Sequence, residues 1–151
     1  MRKSPRVLFA LIALIALSAF TIAACGGSDD DSGDDVTTAE YIAQADAICT
    51  EADKENDAAV KTAFGNEQPT KEEVTSFVSE EIVPTLETQL SDLRELTPPE
   101  GDADTVNGIY DRLDTAIAEV KEDPESSLNK DPFVDIYADA KAYGFRSCGV
   151  N

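Results

Sequence analysis

The side chains in this sequence that are best suited to chemistry are carboxylates and thiols. The 151-residue chain has 31 Asp and Glu residues and three cysteines, but it has no His. Without His, the chain lacks the general base of a Ser-His-Asp triad and the commonest metal ligand. The cysteines are too far apart in sequence to form a C-x-x-C redox pair. These counts exclude His-based catalysis and His-based metal sites.

The charge balance limits the classes of molecule that the chain is expected to bind. Only 12 Lys and Arg residues oppose the acids, giving a formal net charge of −19 and a pI near 4.1. Proteins that bind nucleic acid gain most of their affinity from basic contacts to phosphates. We therefore expect no nucleic-acid partner.

Paired carboxylates recur along the sequence, and two carboxylates can act as acid and base in a glycosidase. Such an enzyme also needs a cleft and sugar-stacking aromatics, whereas Tyr and Phe here fall mostly at core spacing. The spacing therefore favours solvated helix faces. The pairs are Glu51 with Glu55, Asp53 with Asp57, Glu72 with Glu73, Glu80 with Glu81, and Glu122 with Asp123.

One local cluster has the oxygen ligands that a hard cation such as Ca²⁺ takes. Asp102, Asp104 and Asn107 lie close to Gly101. Acidic residues also favour the first turn of a helix, where they interact with its dipole. We therefore expect Asp102 and Asp104 to be helix-cap and first-turn acids, and we predict neither a metal nor a cofactor.

The N-terminal residues have the pattern of an export signal. Basic residues precede an apolar run from Val7 to Leu17, and Ile22-Ala23-Ala24-Cys25 ends this segment. This tetrapeptide resembles the bacterial lipobox, in which the chain is cut before a Cys that carries two acyl chains. The resemblance implies a signal peptide over residues 1–24, lipidation of Cys25, and attachment to the membrane through that lipid. An uncleaved anchor or cleavage by the general signal peptidase are the alternatives.

The remaining residues divide into a tether and a helical domain. Residues 25–36 are the lipidated Cys and a Gly/Ser/Asp stretch with almost no apolar side chain to bury, so we expect a disordered acidic spacer. Residues 37–151 predict an all-α, four-helix bundle-like domain. The expected helices cover residues 38–64, 70–96, 102–122 and 131–143, with a further short turn at Asp123-Pro124.

Local signals set the bounds of these helices. Thr37 with Glu40, and Thr70 with Glu73, fit the S/T-x-x-E capping box. An apolar stripe, which continues to Ala59 and Ala63, predicts the buried face of the first helix. Pro84 interrupts the second helix and predicts a kink or short break there. Four tyrosines fall at core-edge spacing, although a ligand cage is a possible alternative: Tyr41, Tyr110, Tyr137 and Tyr143.

The two cysteines that remain after Cys25 predict a disulfide. Exported chains with two thiols usually pair them, and Cys49 and Cys148 would join the first helix to the end of the last. A bridge that closes a loop of about 100 residues contributes up to about 4.7 kcal/mol in the chain-entropy model. A reactive redox pair is the alternative, but the surroundings of both cysteines have few basic residues.

The sequence around these cysteines resembles a group of proteins. The segments Tyr41–Cys49 (YIAQADAIC) and Tyr143–Gly149 (YGFRSCG) are similar to the two ends of small secreted lipoproteins common in actinobacteria. The resemblance implies an exported helical domain with one bridge, and it implies no activity.

Three functional hypotheses follow. The first is a tethered binding or adaptor module that presents an acidic helical surface to another protein of the cell envelope, on its extracytoplasmic face. The second is a lipoprotein that binds a small ligand or a cation in a pocket between helices near Pro84. The third is an enzyme, which the sequence favours least because it shows no nucleophile–base pair.

Overall fold

The computed structural model describes residues 36–149, and every regular element in that range is helical. The all-α, four-helix bundle-like architecture is therefore confirmed. The elements are α1 (Thr38–Phe64), α2 (Lys71–Phe77), a π-helical turn (Val78–Ile82), α3 (Val83–Glu95), α4 (Ala103–Glu122), α5 (Pro124–Ser127) and α6 (Val134–Tyr143). The predicted signal peptide, Cys25 and nearly all of the tether lie outside the described residues.

Both predicted capping boxes are present. The Thr37 hydroxyl accepts the backbone N–H of Glu40, and the Glu40 carboxylate accepts the backbone N–H of Thr37 at 3.0 Å. Thr70 and Glu73 repeat the arrangement at the start of α2, with the return bond at 2.7 Å. These bonds satisfy amides that a helix start leaves without intrahelical partners.

The interruption expected at Pro84 takes the form of a π-helical turn immediately before it. Proline has no N–H for the carbonyl of Glu80, and its ring crowds that carbonyl in a regular α-helix. The backbone widens over Val78–Ile82, and the N–H of Val83 bonds to the carbonyl of Val78. The segments α2 and α3 thus form one long helix with a register shift in its middle.

The last helix begins later than expected. Its first residue is Val134 rather than Asp131. The Asp131 carboxylate accepts the backbone N–H of Phe133 at 2.8 Å, which holds residues 131–133 in a turn instead of a first helical turn. Asp123 does cap the short α5 as expected. Gly144 ends α6 with φ 123°, a conformation that favours glycine.

The core lies where four helices meet. Helix α1 packs on α3, α3 on α4, and α4 on α6. Large buried side chains come from all four, and Phe145 adds a ring from the segment after α6. The residues of this core are Tyr41, Ala45, Cys49, Val83, Leu90, Leu93, Val106, Ile109, Tyr110, Ala116, Ile117, Val120, Ile136, Ala140 and Phe145.

A covalent and polar clasp joins the end of the chain to α1. Cys49 and Cys148 form the predicted disulfide, with their Cα atoms 5.2 Å apart. One turn earlier, the Asp46 carboxylate accepts the backbone N–H groups of Arg146 at 2.9 Å and Ser147 at 2.8 Å. We use "the clasp" for Asp46, Cys49 and residues 146–148. It fixes an irregular segment whose amides would otherwise lack partners.

Each of the four tyrosines contacts another side chain of the bundle. Tyr41 and Tyr110 are buried, and their hydroxyls share a hydrogen bond of 2.8 Å. The Tyr143 hydroxyl donates to the Asp102 carboxylate at 2.8 Å. Burial raises the pKa of all four tyrosines, to about 12 for Tyr137, where Asp131 and Asp53 also oppose ionisation.

These pKa shifts predict that the tyrosines ionise at a higher pH in the folded protein than in the unfolded chain. At pH 11, one unit above the ordinary tyrosine pKa of 10.0, an unfolded chain would be about nine-tenths ionised. We expect the folded protein to show little tyrosinate absorbance at that pH. Because the unfolded state releases these protons first, the free energy of unfolding should fall as the pH rises above about 10. Absorbance of native and denatured protein over an alkaline titration measures this, and coincident curves would contradict it.

Candidate functional site

An open groove lies between the last turns of α1 and the helix formed by α2 and the π-helical turn. Its volume is about 740 Å³. We call it the α1–α2 groove, and its lining residues are Ala58, Ala59, Thr62, Ala63, Phe64, Glu72, Glu73, Ser76, Phe77, Glu80 and Glu81. Along α2 and the turn it extends from Glu72 to Glu81, which is about 13 Å at helical rise.

The two walls of the groove differ in chemistry. Residues 58, 59, 62 and 63 are three or four apart, so they share one face of α1, and all four are Ala or Thr. These short side chains leave space beside the helix. At the loop end, the rings of Phe64 and Phe77 meet edge to face with centroids 5.0 Å apart. The α1 wall and this aromatic pair are thus mostly apolar.

The opposite wall is acidic. Glu72, Glu73, Glu80 and Glu81 line it, and no Lys or Arg is among the lining residues. Hydrogen bonds from Thr70 lower the pKa of Glu73 below its usual value, so this carboxylate stays charged. Lys71, the nearest base in sequence, is paired with Glu125 on α5. The groove therefore combines a small apolar wall with a wall of uncompensated negative charge.

This arrangement suits binding of an amphipathic cation. The apolar wall can bury a few hydrophobic side chains, and the carboxylates can pair with ammonium or guanidinium groups. Charges at such a rim give specificity and association rate more than affinity. The Thr62 hydroxyl in the lining donates to the carbonyl of Ala58 and not to a glutamate of the groove.

The sequence analysis singled out several of these residues, but it did not predict that they lie together in one groove. Glu72–Glu73 and Glu80–Glu81 were expected on solvated faces, and all four are exposed; the structure adds that they share one wall of the groove. Ala59 and Ala63 were expected on the buried stripe of α1, but Ala63 is exposed and Ala59 is half-buried in the groove. The stripe leaves the core after Ala52 because α2 diverges from α1. A pocket was expected near Pro84, and the groove ends at the π-helical turn just before it.

Asp102 lies at the N-cap position of α4, as expected, but its side chain accepts no N–H of that helix. Its carboxylate instead accepts the hydroxyls of Thr38 at 2.9 Å and Tyr143 at 2.8 Å. These bonds tie the starts of α1 and α4 to the end of α6. Asp104 does lie in the first turn of α4, as expected.

The described part of the chain has neither a metal-ligand cluster nor a membrane-spanning helix. Residues 36–149 contain no cluster of three or more His, Cys, Asp or Glu side chains placed to hold a metal ion. No helix in that range is long and apolar enough to cross a membrane.

Comparison with known proteins gives no match. No family model fits the chain, and neither a curated protein nor a solved structure is similar to it.

Proposed function

We propose that this protein is a membrane-tethered binding module of the cell envelope, and that the α1–α2 groove binds a basic amphipathic segment of another envelope protein. The observation that carries this proposal is the groove itself, in which four glutamates face an Ala-rich wall. Binding by such a surface needs no reaction chemistry, and the resemblance to small secreted lipoproteins is consistent with it.

Charge complementarity identifies the occupant. Residues 36–151 carry 26 acids against nine bases, so the field around the domain attracts cations. Within the groove the carboxylates lie at helical spacing along about 13 Å, which corresponds to two to three turns of a partner helix. Lysines on one face of such a helix would meet Glu73 and Glu80, while its apolar residues cover Ala59 and Phe77.

The proposed lipid anchor and tether would hold this module at the membrane. We propose that Cys25 is the lipidated N-terminus of the mature protein and that the acidic stretch up to residue 36 separates the lipid from the domain. Two acyl chains hold a protein stably on a membrane, whereas one does so only marginally. The stretch from Gly26 to Asp35 contains five Asp residues, whose like charges repel one another. The domain could then reach a partner on the extracytoplasmic face of the membrane.

A charge-neutralised groove tests the binding proposal. We expect a variant with Glu72, Glu73, Glu80 and Glu81 changed to Gln to bind an amphipathic Lys/Leu peptide at least about tenfold more weakly. Gln is tolerated in a capping box, so the Glu73→Gln change should leave the start of α2 intact. Isothermal titration calorimetry at constant ionic strength measures the difference.

The matched control removes the same charge elsewhere. It carries Gln at four exposed glutamates outside the groove, Glu55, Glu95, Glu100 and Glu122, and it should keep most of its affinity. A scrambled peptide of the same composition, without an apolar face, should bind weakly to all variants. Equal losses in the two variants would show that general charge attraction, not the groove, binds the peptide.

The lipid anchor is tested separately. We expect Cys25→Ser to abolish incorporation of labelled palmitate in a bacterial host and to prevent cleavage before residue 25, so the protein should keep its full length. A Ser28→Ala variant, altered only in the tether, should behave like the unchanged protein. If Cys25→Ser were still cleaved, lipid-labelled and membrane-bound, the lipidation proposal would be wrong.

A further inference from the structure

A second, smaller cavity lies inside the bundle, where residues of α1, α3, α4 and α6 meet beside the disulfide. Its volume is about 90 Å³, and we call it the inner crevice. Leu93, Ile109 and Ile136 are buried side chains in its wall, and Phe145 packs there from the segment after α6. The crevice shares none of its lining residues with the α1–α2 groove.

One side of the inner crevice is polar. Asp53 and Asn56 are three residues apart, so they lie on the same face of α1, and both line the crevice with Gln89 and Tyr137. The side-chain oxygen of Asn56 is buried and accepts no hydrogen bond from the part of the chain that the structure describes. A buried acceptor without a donor is unfavourable, because it has lost its hydrogen bonds to water. Its position therefore favours a ligand that supplies N–H groups.

The charges around the inner crevice favour a cationic ligand. The Asp53 carboxylate is exposed at the edge of the crevice, and its pKa is raised by partial burial and by the neighbouring Asp57. The Tyr137 hydroxyl lies close enough to Asp53 for that carboxylate to oppose its ionisation. No Lys or Arg is among the lining residues. A positive charge at this position would relieve the repulsion among these groups.

We infer that the inner crevice binds a small primary ammonium compound, whose charged nitrogen contacts Asp53 and the Asn56 oxygen and whose short alkyl chain enters the apolar interior. The volume sets the size of the ligand. It corresponds to about three water molecules in the liquid, so the crevice takes a chain of a few carbons and excludes a bulky one. This inference does not depend on the proposed function of the groove.

A series of linear alkylamines, from methylamine to hexylamine, tests this inference on the oxidised protein. We expect saturable thermal stabilisation that is greatest at an intermediate chain length, since short chains leave space and long ones do not fit. At the best length, the alcohol and the carboxylate of equal size should give no saturable shift. Stabilisation that rises steadily with chain length would overturn the proposal, and so would an alcohol that stabilises the protein as much as the amine does. A series in which no amine stabilises the protein would also overturn it, since only water would then occupy the crevice.

Two single substitutions locate the site. Asp53→Asn and Asn56→Leu should each raise the dissociation constant for the best amine about tenfold or more, because each removes one partner of the charged nitrogen. Asp92→Asn, which removes the same charge from an exposed position on α3, should leave the constant unchanged. Equal weakening by Asp53→Asn and Asp92→Asn would overturn the assignment. Melting of each variant without ligand shows that it is folded.

Discussion

The clasp between α1 and the end of the chain is the constraint on which the rest of the structure depends. Helix α1 packs on α3, α3 packs on α4, and α4 packs on α6. The clasp joins α1, the first helix of this series, to the segment that follows α6, the last. The Cys49–Cys148 bond spans 99 residues, so it removes much conformational freedom from the unfolded chain. The Asp46 carboxylate then satisfies the amides of Arg146 and Ser147. Together they hold Phe145 in the core of a domain that has few large apolar side chains.

Both proposed binding regions follow from how α1 is held. Its first half is clamped against the bundle through Tyr41, Ala45 and Cys49, which are buried. Its second half continues past the core, where short side chains and the divergence of α2 leave the groove. The inner crevice lies beside the disulfide, where Asn56 and the side chains of three other helices leave space unfilled. A larger side chain on the part of α1 that lines the groove would narrow the groove, and one on the part that lines the inner crevice would fill the crevice.

The sequence predicted the helices well because their signals are local. Capping boxes at Thr37 and Thr70 set two starts, and the exclusion of Pro84 from a regular helix set the position of the π-helical turn. Apart from the Cys49–Cys148 pair, it could not predict which side chains meet across the bundle. Asp102 looked like a cap because caps are the commonest use of an acid there, and only the fold brings Thr38 and Tyr143 to its carboxylate. Likewise, nothing local distinguishes Ala45 in the core from Ala63 in the groove.

Hydrogen exchange of backbone amides, compared between the oxidised and reduced protein, tests the role of the clasp most directly. We expect reduction to remove most protection from α1 and from residues 145–149, because the bundle opens where the clasp joined its ends. The helical hairpin of α3 and α4, which carries neither cysteine of the bond, should lose less protection than α1. If free thiols were confirmed by mass and α1 kept its full protection, the clasp would not be the constraint that holds this fold together.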